Sequence, residues 1–146
     1  MPRYVFLALA LTAAARADDA AAPVKPVETA TLTITIHNVS DAGGELRVGL
    51  YDEAGYKVAG AAPVARKRTR ARGGTMTVTI ADVPPGTYAV KMYQDINDNG
   101  IFDVGARLIE PYGISGDPPP SLALPPFADA AFDVHAGDNA IDVTLH

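Results

Sequence analysis

Residues 30–36 read ATLTITI. Leu32, Ile34 and Ile36 fall on one side of an extended chain, and Thr31, Thr33 and Thr35 on the other. A period of two built from β-branched residues is the pattern of a half-buried strand, because successive strand side chains point to opposite faces. Residues 45–50, ELRVGL, repeat it with Leu46, Val48 and Leu50 on the apolar side. Asp41-Ala42-Gly43-Gly44 has the composition of a turn, so the two segments are expected to form a hairpin.

The same alternation recurs downstream. Met76, Val78 and Ile80 mark one strand, Tyr88, Val90 and Met92 another, and Ile141, Val143 and Leu145 the last. Ala131 to His135 forms a further strand, with Gly137-Asp138-Asn139 as the turn between the final two. Val64 to Arg72 is also extended but strongly basic. Residues 53–63 show no period and read as a loop with a short helical turn. Val83-Pro84-Pro85-Gly86 is a tight turn, since Pro presets φ and Gly accepts positive φ. Tyr88 follows at a corner where a tyrosine hydroxyl locks the turn by bonding back to the backbone. About seven short strands and no amphipathic helix predict an all-β fold: an antiparallel immunoglobulin-like or prealbumin-like β-sandwich.

Outward from this domain, Arg3 precedes an apolar run from Tyr4 to Ala15, too short to span a bilayer. Ala15-Arg16-Ala17 is a small-x-small cleavage site. The expected organisation is a signal peptide over 1–17, a flexible linker over 18–29 (DDAAAPVKPVET), and the sandwich over 30–146. No later stretch is apolar enough to cross a membrane, so the mature chain has no transmembrane span. The expected location is periplasmic or extracellular. There are no cysteines, which excludes disulfides, thiolate metal sites and a thiol nucleophile. Cleavage removes Arg3 and Arg16, so 12 basic residues become 10 against 17 acidic ones, a net charge of −7. That excludes a general nucleic-acid binder, which needs a net basic face.

Two segments carry candidate chemistry. In residues 95–103, DINDNGIFD, oxygen side chains from Asp95, Asn97, Asn99 and Asp103 take positions 1, 3, 5 and 9 of a calcium loop. Gly100 takes the sharp turn and Ile101 offers its carbonyl. Ala106 stands where a closing bidentate Glu belongs, and Glu110 lies four residues further on. The segment reads either as an Asn/Asp turn that bonds its own backbone without metal or as a site that binds calcium weakly. The second segment is Arg66, Lys67, Arg68, Arg70 and Arg72, half of the mature chain's basic residues. It reads either as an edge strand protected by charge or as a patch for lipid head groups or acidic polysaccharide.

Gly113-Ile114-Ser115-Gly116 lacks the spacing of a nucleophile elbow, and His37, His135 and His146 show no metal or triad spacing. Asp95, Asp103 and Glu110 fit ion or turn chemistry better than an acid–base pair. A non-enzyme is therefore expected. Its partner would be an envelope polysaccharide or protein. The alternative is a carbohydrate- or polymer-binding module that uses the long 95–127 region.

Five pieces in order, Leu50-Tyr51-Asp52, Val83 to Val90, Gln94 to Gly100, Tyr112 to Ser115 and Pro126 to Phe132, resemble the bacterial secreted family called domain of unknown function 2141. The resemblance covers Leu32 to Leu145 and implies a small exported β-sandwich with no established activity. The corner and the Asp/Asn loop also resemble the B-type repeats of cell-wall adhesins. That likeness implies calcium at Asp95, Asn97, Asn99 and Asp103, a pattern from which Ala106 departs.

Overall fold

The threonine–isoleucine alternation does form a strand. In the computed structural model, which describes residues 21–146, β1 (Ala30–Val39) buries Ala30, Leu32, Ile34 and Ile36 and leaves its threonines half-exposed. The expected signal peptide and its cleavage site lie outside the described residues, as do the first three residues of the expected linker. The other strands are β2 (Glu45–Tyr51), β3 (Ala65–Arg70), β4 (Gly74–Val83), β5 (Gly86–Asp95), β6 (Tyr112–Ile114), β7 (Phe132–Val134) and β8 (Gly137–Thr144). Two four-residue helices, α1 (Glu53–Tyr56) and α2 (Phe127–Ala130), complete the fold.

The strands make two sheets. One has the order β4-β1-β8 and the other β3-β2-β5-β6, with β7 pairing the start of β5. Every pairing is antiparallel except that of β1 with β8, which is parallel. The inner faces enclose one core in which Leu32, Ile34 and Ile36 meet Leu46, Leu50, Val90 and Val143. Each such side chain contributes about 1.5–3 kcal/mol on burial.

The expected hairpin of β1 and β2 does not form. β1 pairs β4 and β8 while β2 pairs β3 and β5, so the two lie face to face in opposite sheets. Alternation identifies an apolar side; it does not say whether the next strand lies beside it or across the core. The connection is held as an arch by buried Gln94. Its side chain accepts from Ser40 N (2.9 Å) and donates to Ser40 O (2.9 Å) and Gly43 O (2.7 Å). The last two strands likewise separate, β7 joining β5 and β8 joining β1. Gly137 to Asn139 are the first residues of β8 itself, and Asn139 caps the bend by bonding His135 N and O.

The tyrosine corner is present: Tyr88 donates its hydroxyl to Pro84 O at 2.9 Å. Tyr56 of α1 and Phe127 of α2 pack edge to face at 5.4 Å and, with Ala89 and Ala130, cover one end of the outer face of the larger sheet. Beyond them the outer faces of β3, β2 and β5 stay open.

Candidate functional site

The loop after β5 is built around two buried carboxylates. Asp95, the last residue of β5, is fully buried. Its Oδ1 accepts from Asn99 N (3.0 Å), and its Oδ2 accepts from Gly100 N (2.8 Å) and Arg47 Nε (2.9 Å). Arg47 also meets Glu45 at 3.0 Å. Glu110 is equally buried; its two oxygens accept Ile96 N (2.8 Å) and Asp103 N (3.0 Å). It therefore ties the two ends of the loop from beneath and does not reach into its mouth. Asp98 has a left-handed φ of 57° and turns away from the loop centre, accepting Arg70 Nη1 with both carboxylate oxygens at 2.7 Å.

At the mouth, Asn97 Nδ2 and Asn99 Nδ2 both donate to Asp103 Oδ2, at 2.8 and 2.7 Å. Asn97 Oδ1 accepts Asn99 N, and Asn99 Oδ1 accepts Ile101 N. Ile101 itself is exposed. Side chains of loop positions 3, 5 and 9 thus converge, but through amide nitrogens on a carboxylate oxygen. Calcium needs oxygens at that point, so both amides would have to turn over. Among the described residues, no group of three or more His, Cys, Asp or Glu stands close enough together to hold a metal.

The basic segment forms β3, the edge strand of the larger sheet. Register divides its charges. Arg66 lies opposite Gly49 and Arg68 opposite Arg47, on the outer face, whereas Lys67 lies opposite buried Val48. Arg72 lies beyond the strand, in the turn to β4. β5 continues the outer rows, placing Lys91 beside Gly49 and Tyr93 beside Arg47. The result is a groove of about 170 Å³ whose walls carry Arg66, Arg68, Lys91 and Tyr93. Gly49 makes its floor. A Cβ there would meet the Tyr51 ring at 2.7 Å, so the absent side chain lets that ring lie back along its own strand.

Lys91 holds its ammonium 3.9 Å from the centre of the Tyr51 ring and donates to Tyr56 O at 3.0 Å. Burial pushes its pKa down, and burial pushes the Tyr51 and Tyr93 hydroxyls up. Among the described residues, Arg66, Arg68 and Lys91 have no carboxylate within ion-pair distance, whereas Arg47 and Arg70 do. Loop and groove share a wall: Tyr93 donates its hydroxyl to Gly100 O at 3.1 Å.

The other sequence candidates are structural. The Ser115 hydroxyl is buried; it accepts Val90 N (2.9 Å) and donates to Ala130 O, fastening α2 to β5. His37 meets Asp142 at 2.8 Å on the surface. His146 pairs its backbone with Tyr112, where the edges of the two sheets meet. The 95–127 region contains β6 and then a proline-rich strap, residues 117–126. The strap leaves a cleft of about 420 Å³ against Tyr112, Ile114 and His146.

The family described as "Uncharacterized protein conserved in bacteria (DUF2141)" matches residues 34–142. The chain belongs to this family. The DUF2141 match runs from within β1 to within β8, so it takes in both sheets, the loop and the groove. It agrees with the resemblance read from the five sequence pieces. Neither a curated protein nor a solved structure matches the chain.

Sequence reasoning missed Arg47, Gly49, Tyr51, Lys91 and Tyr93. The signal was available in part. These residues alternate with Leu46, Val48, Leu50, Val90 and Met92, and so mark the outward faces of two predicted strands. That β2 and β5 are neighbours, which gathers them into one groove, is a long-range pairing that alternation does not encode.

Proposed function

We propose that this member of DUF2141 is an exported, non-catalytic binding module of the bacterial cell envelope, and that it binds through the outer face of β3, β2 and β5. The observation that carries the reading is the groove over Gly49, where three unpaired cations and two tyrosines meet on a rigid sheet. Binding groups on strands are held more firmly than groups on loops. The non-catalytic reading is supported by the buried, doubly bonded Ser115 hydroxyl and by Asp95 and Glu110, whose oxygens are engaged by the backbone.

The test uses protein recovered from its native host. Its mature chain should begin at Asp18, and its amide spectrum should respond to soluble envelope polymers at Arg47 to Tyr51, Arg66 to Arg68 and Lys91 to Tyr93. Shifts confined to Pro118 to Leu124 would move the binding site to the strap cleft, as the carbohydrate-binding alternative for residues 95–127 expects. A chain retaining Tyr4 to Ala17 would remove the export.

A second reading concerns the loop mouth, where Asn97, Asn99 and Asp103 converge. With both amides turned, those side chains and the Ile101 carbonyl form a weak calcium site, with a Kd on the order of 10⁻⁴–10⁻³ M. Calcium at ten times that value should stabilise the fold by roughly 1.4 kcal/mol and raise Tm by about 3–5 °C, with magnesium less effective. A Tm unmoved by 10 mM calcium leaves the loop as a hydrogen-bonded brace.

A further inference from the structure

The groove has a chemical preference that follows from where its charges lie. Protection of an edge strand against pairing needs charge on that strand alone. Here Lys67, on the core-side alternation of β3, already serves that purpose. The unpaired cations do not stop at the edge. Arg66 and Arg68 stand on β3, and Lys91 stands two strands further in, across Gly49. Adjacent strands lie about 4.8 Å apart and alternate residues along a strand about 6.7 Å apart. The three positive groups therefore frame a trough roughly 10 Å across, floored by Gly49 and the Tyr51 ring that lies over it. The remainder of the chain is acidic: without these three cations the net charge of −5 becomes −8.

We propose that the groove binds a single strand of an acidic polysaccharide, laid along β2 between the arginines of β3 and Lys91. This rests on the reading of the outer face as a binding surface and names its ligand. A repeating anion matches several cations in a row, where a lone phosphate would engage one or two. The Tyr51 ring, folded back over Gly49 with the Lys91 ammonium 3.9 Å from its centre, gives the trough an aromatic edge against which a sugar can pack, and its hydroxyl gives a polar handle. A flat bilayer meets the rim of a trough but not its floor. A nucleic-acid duplex presents a broader anionic surface to an otherwise acidic protein.

The experiment titrates the chain with polygalacturonate, dextran, dextran sulfate, a thymidine oligonucleotide and vesicles containing phosphatidylglycerol, by calorimetry and by amide shifts. Polygalacturonate should bind at the groove. Three neutralised charges should give a log–log salt slope of about 2, by analogy with single-stranded polyanions. The double variant Arg66→Gln/Arg68→Gln should weaken binding by about tenfold or more and lower the slope to about 0.7, because both side chains are exposed and bond only the ligand. Tyr51→Leu should weaken binding severalfold and leave the slope unchanged.

Equal binding of polygalacturonate and dextran sulfate with no effect of Tyr51→Leu would reduce the groove to an ion exchanger and overturn the proposal. So would tighter binding of vesicles or of the oligonucleotide. Salt-insensitive binding of dextran at the same residues would overturn the acidic ligand but keep the binding face. Absence of shifts on β3, β2 and β5 with every probe would remove both.

Discussion

Asp95→Ala should lower the melting temperature by roughly 10–15 °C, a loss of about 3–4 kcal/mol for a domain of this size. The buried carboxylate joins β5, the turn at Gly100 and Arg47 of β2 through one side chain. Its removal strands the Gly100 N–H, leaves Asn99 N with Asn97 Oδ1 alone and leaves Arg47 with Glu45 alone. Breaking a buried pair from one side costs far more than the pair contributes, because the surviving charge stays desolvated. Asp95→Asn keeps one acceptor for the turn and should lose about half as much. Urea and thermal unfolding measure both. A loss below about 1 kcal/mol would mean that water or Glu45 replaces the carboxylate, and the loop would then be only loosely braced.

Gly44→Ala is the second large effect, expected at about 3 kcal/mol or more. Gly44 has φ +80°, and a Cβ there would lie 2.0 Å from Asp95 O and 2.7 Å from Ile96 Cα. Both obstacles are backbone at the end of a central strand, so relief requires the arch between the sheets to move. Neighbouring Gly43 supplies the control. Its φ is +81° but a Cβ there meets nothing within 4 Å, so Gly43→Ala should cost only the left-handed strain, about 1 kcal/mol. Comparable losses in the two variants would show that the arch yields easily and that Gly44 is needed for its conformation alone.

These sites show which parts of the molecule were legible. Alternation located five of the eight strands, because each of these buries one face of a two-sided pattern, while β3 and β7 are legible as extended segments bounded by turns. β6 escaped because its three residues, Tyr112–Ile114, are too few to show a period. The corner at Tyr88 was legible because its chemistry is local, hydroxyl to carbonyl across four residues. The spacing from Asp95 to Asp103 was legible as a loop, and its glycine was rightly placed at the turn. The role of Glu110 was not, since it depends on a strand returning beneath the loop to bring the carboxylate against Ile96 N and Asp103 N. Nor was the tie from Asp98 to Arg70, which joins the two segments that the sequence presented as separate candidates. Strand identity is written in neighbouring residues, whereas strand order is decided by pairings between distant ones.

The parallel pairing of β1 with β8 has a consequence for how the chain is made. Ala30 lies beside Gly137 and His37 beside Thr144, so the earliest strand waits for the latest. While residues 137–144 are still unmade, β1 has a free edge of unpaired backbone groups beside the apolar face of Leu32, Ile34 and Ile36. Contacts of such sequence separation form slowly, and an open apolar edge is the surface on which two unfinished chains pair. A growing chain on the ribosome therefore gains little by folding early, and a holding chaperone that keeps residues 30–39 unpaired would raise the yield of native protein more than one acting on any later strand.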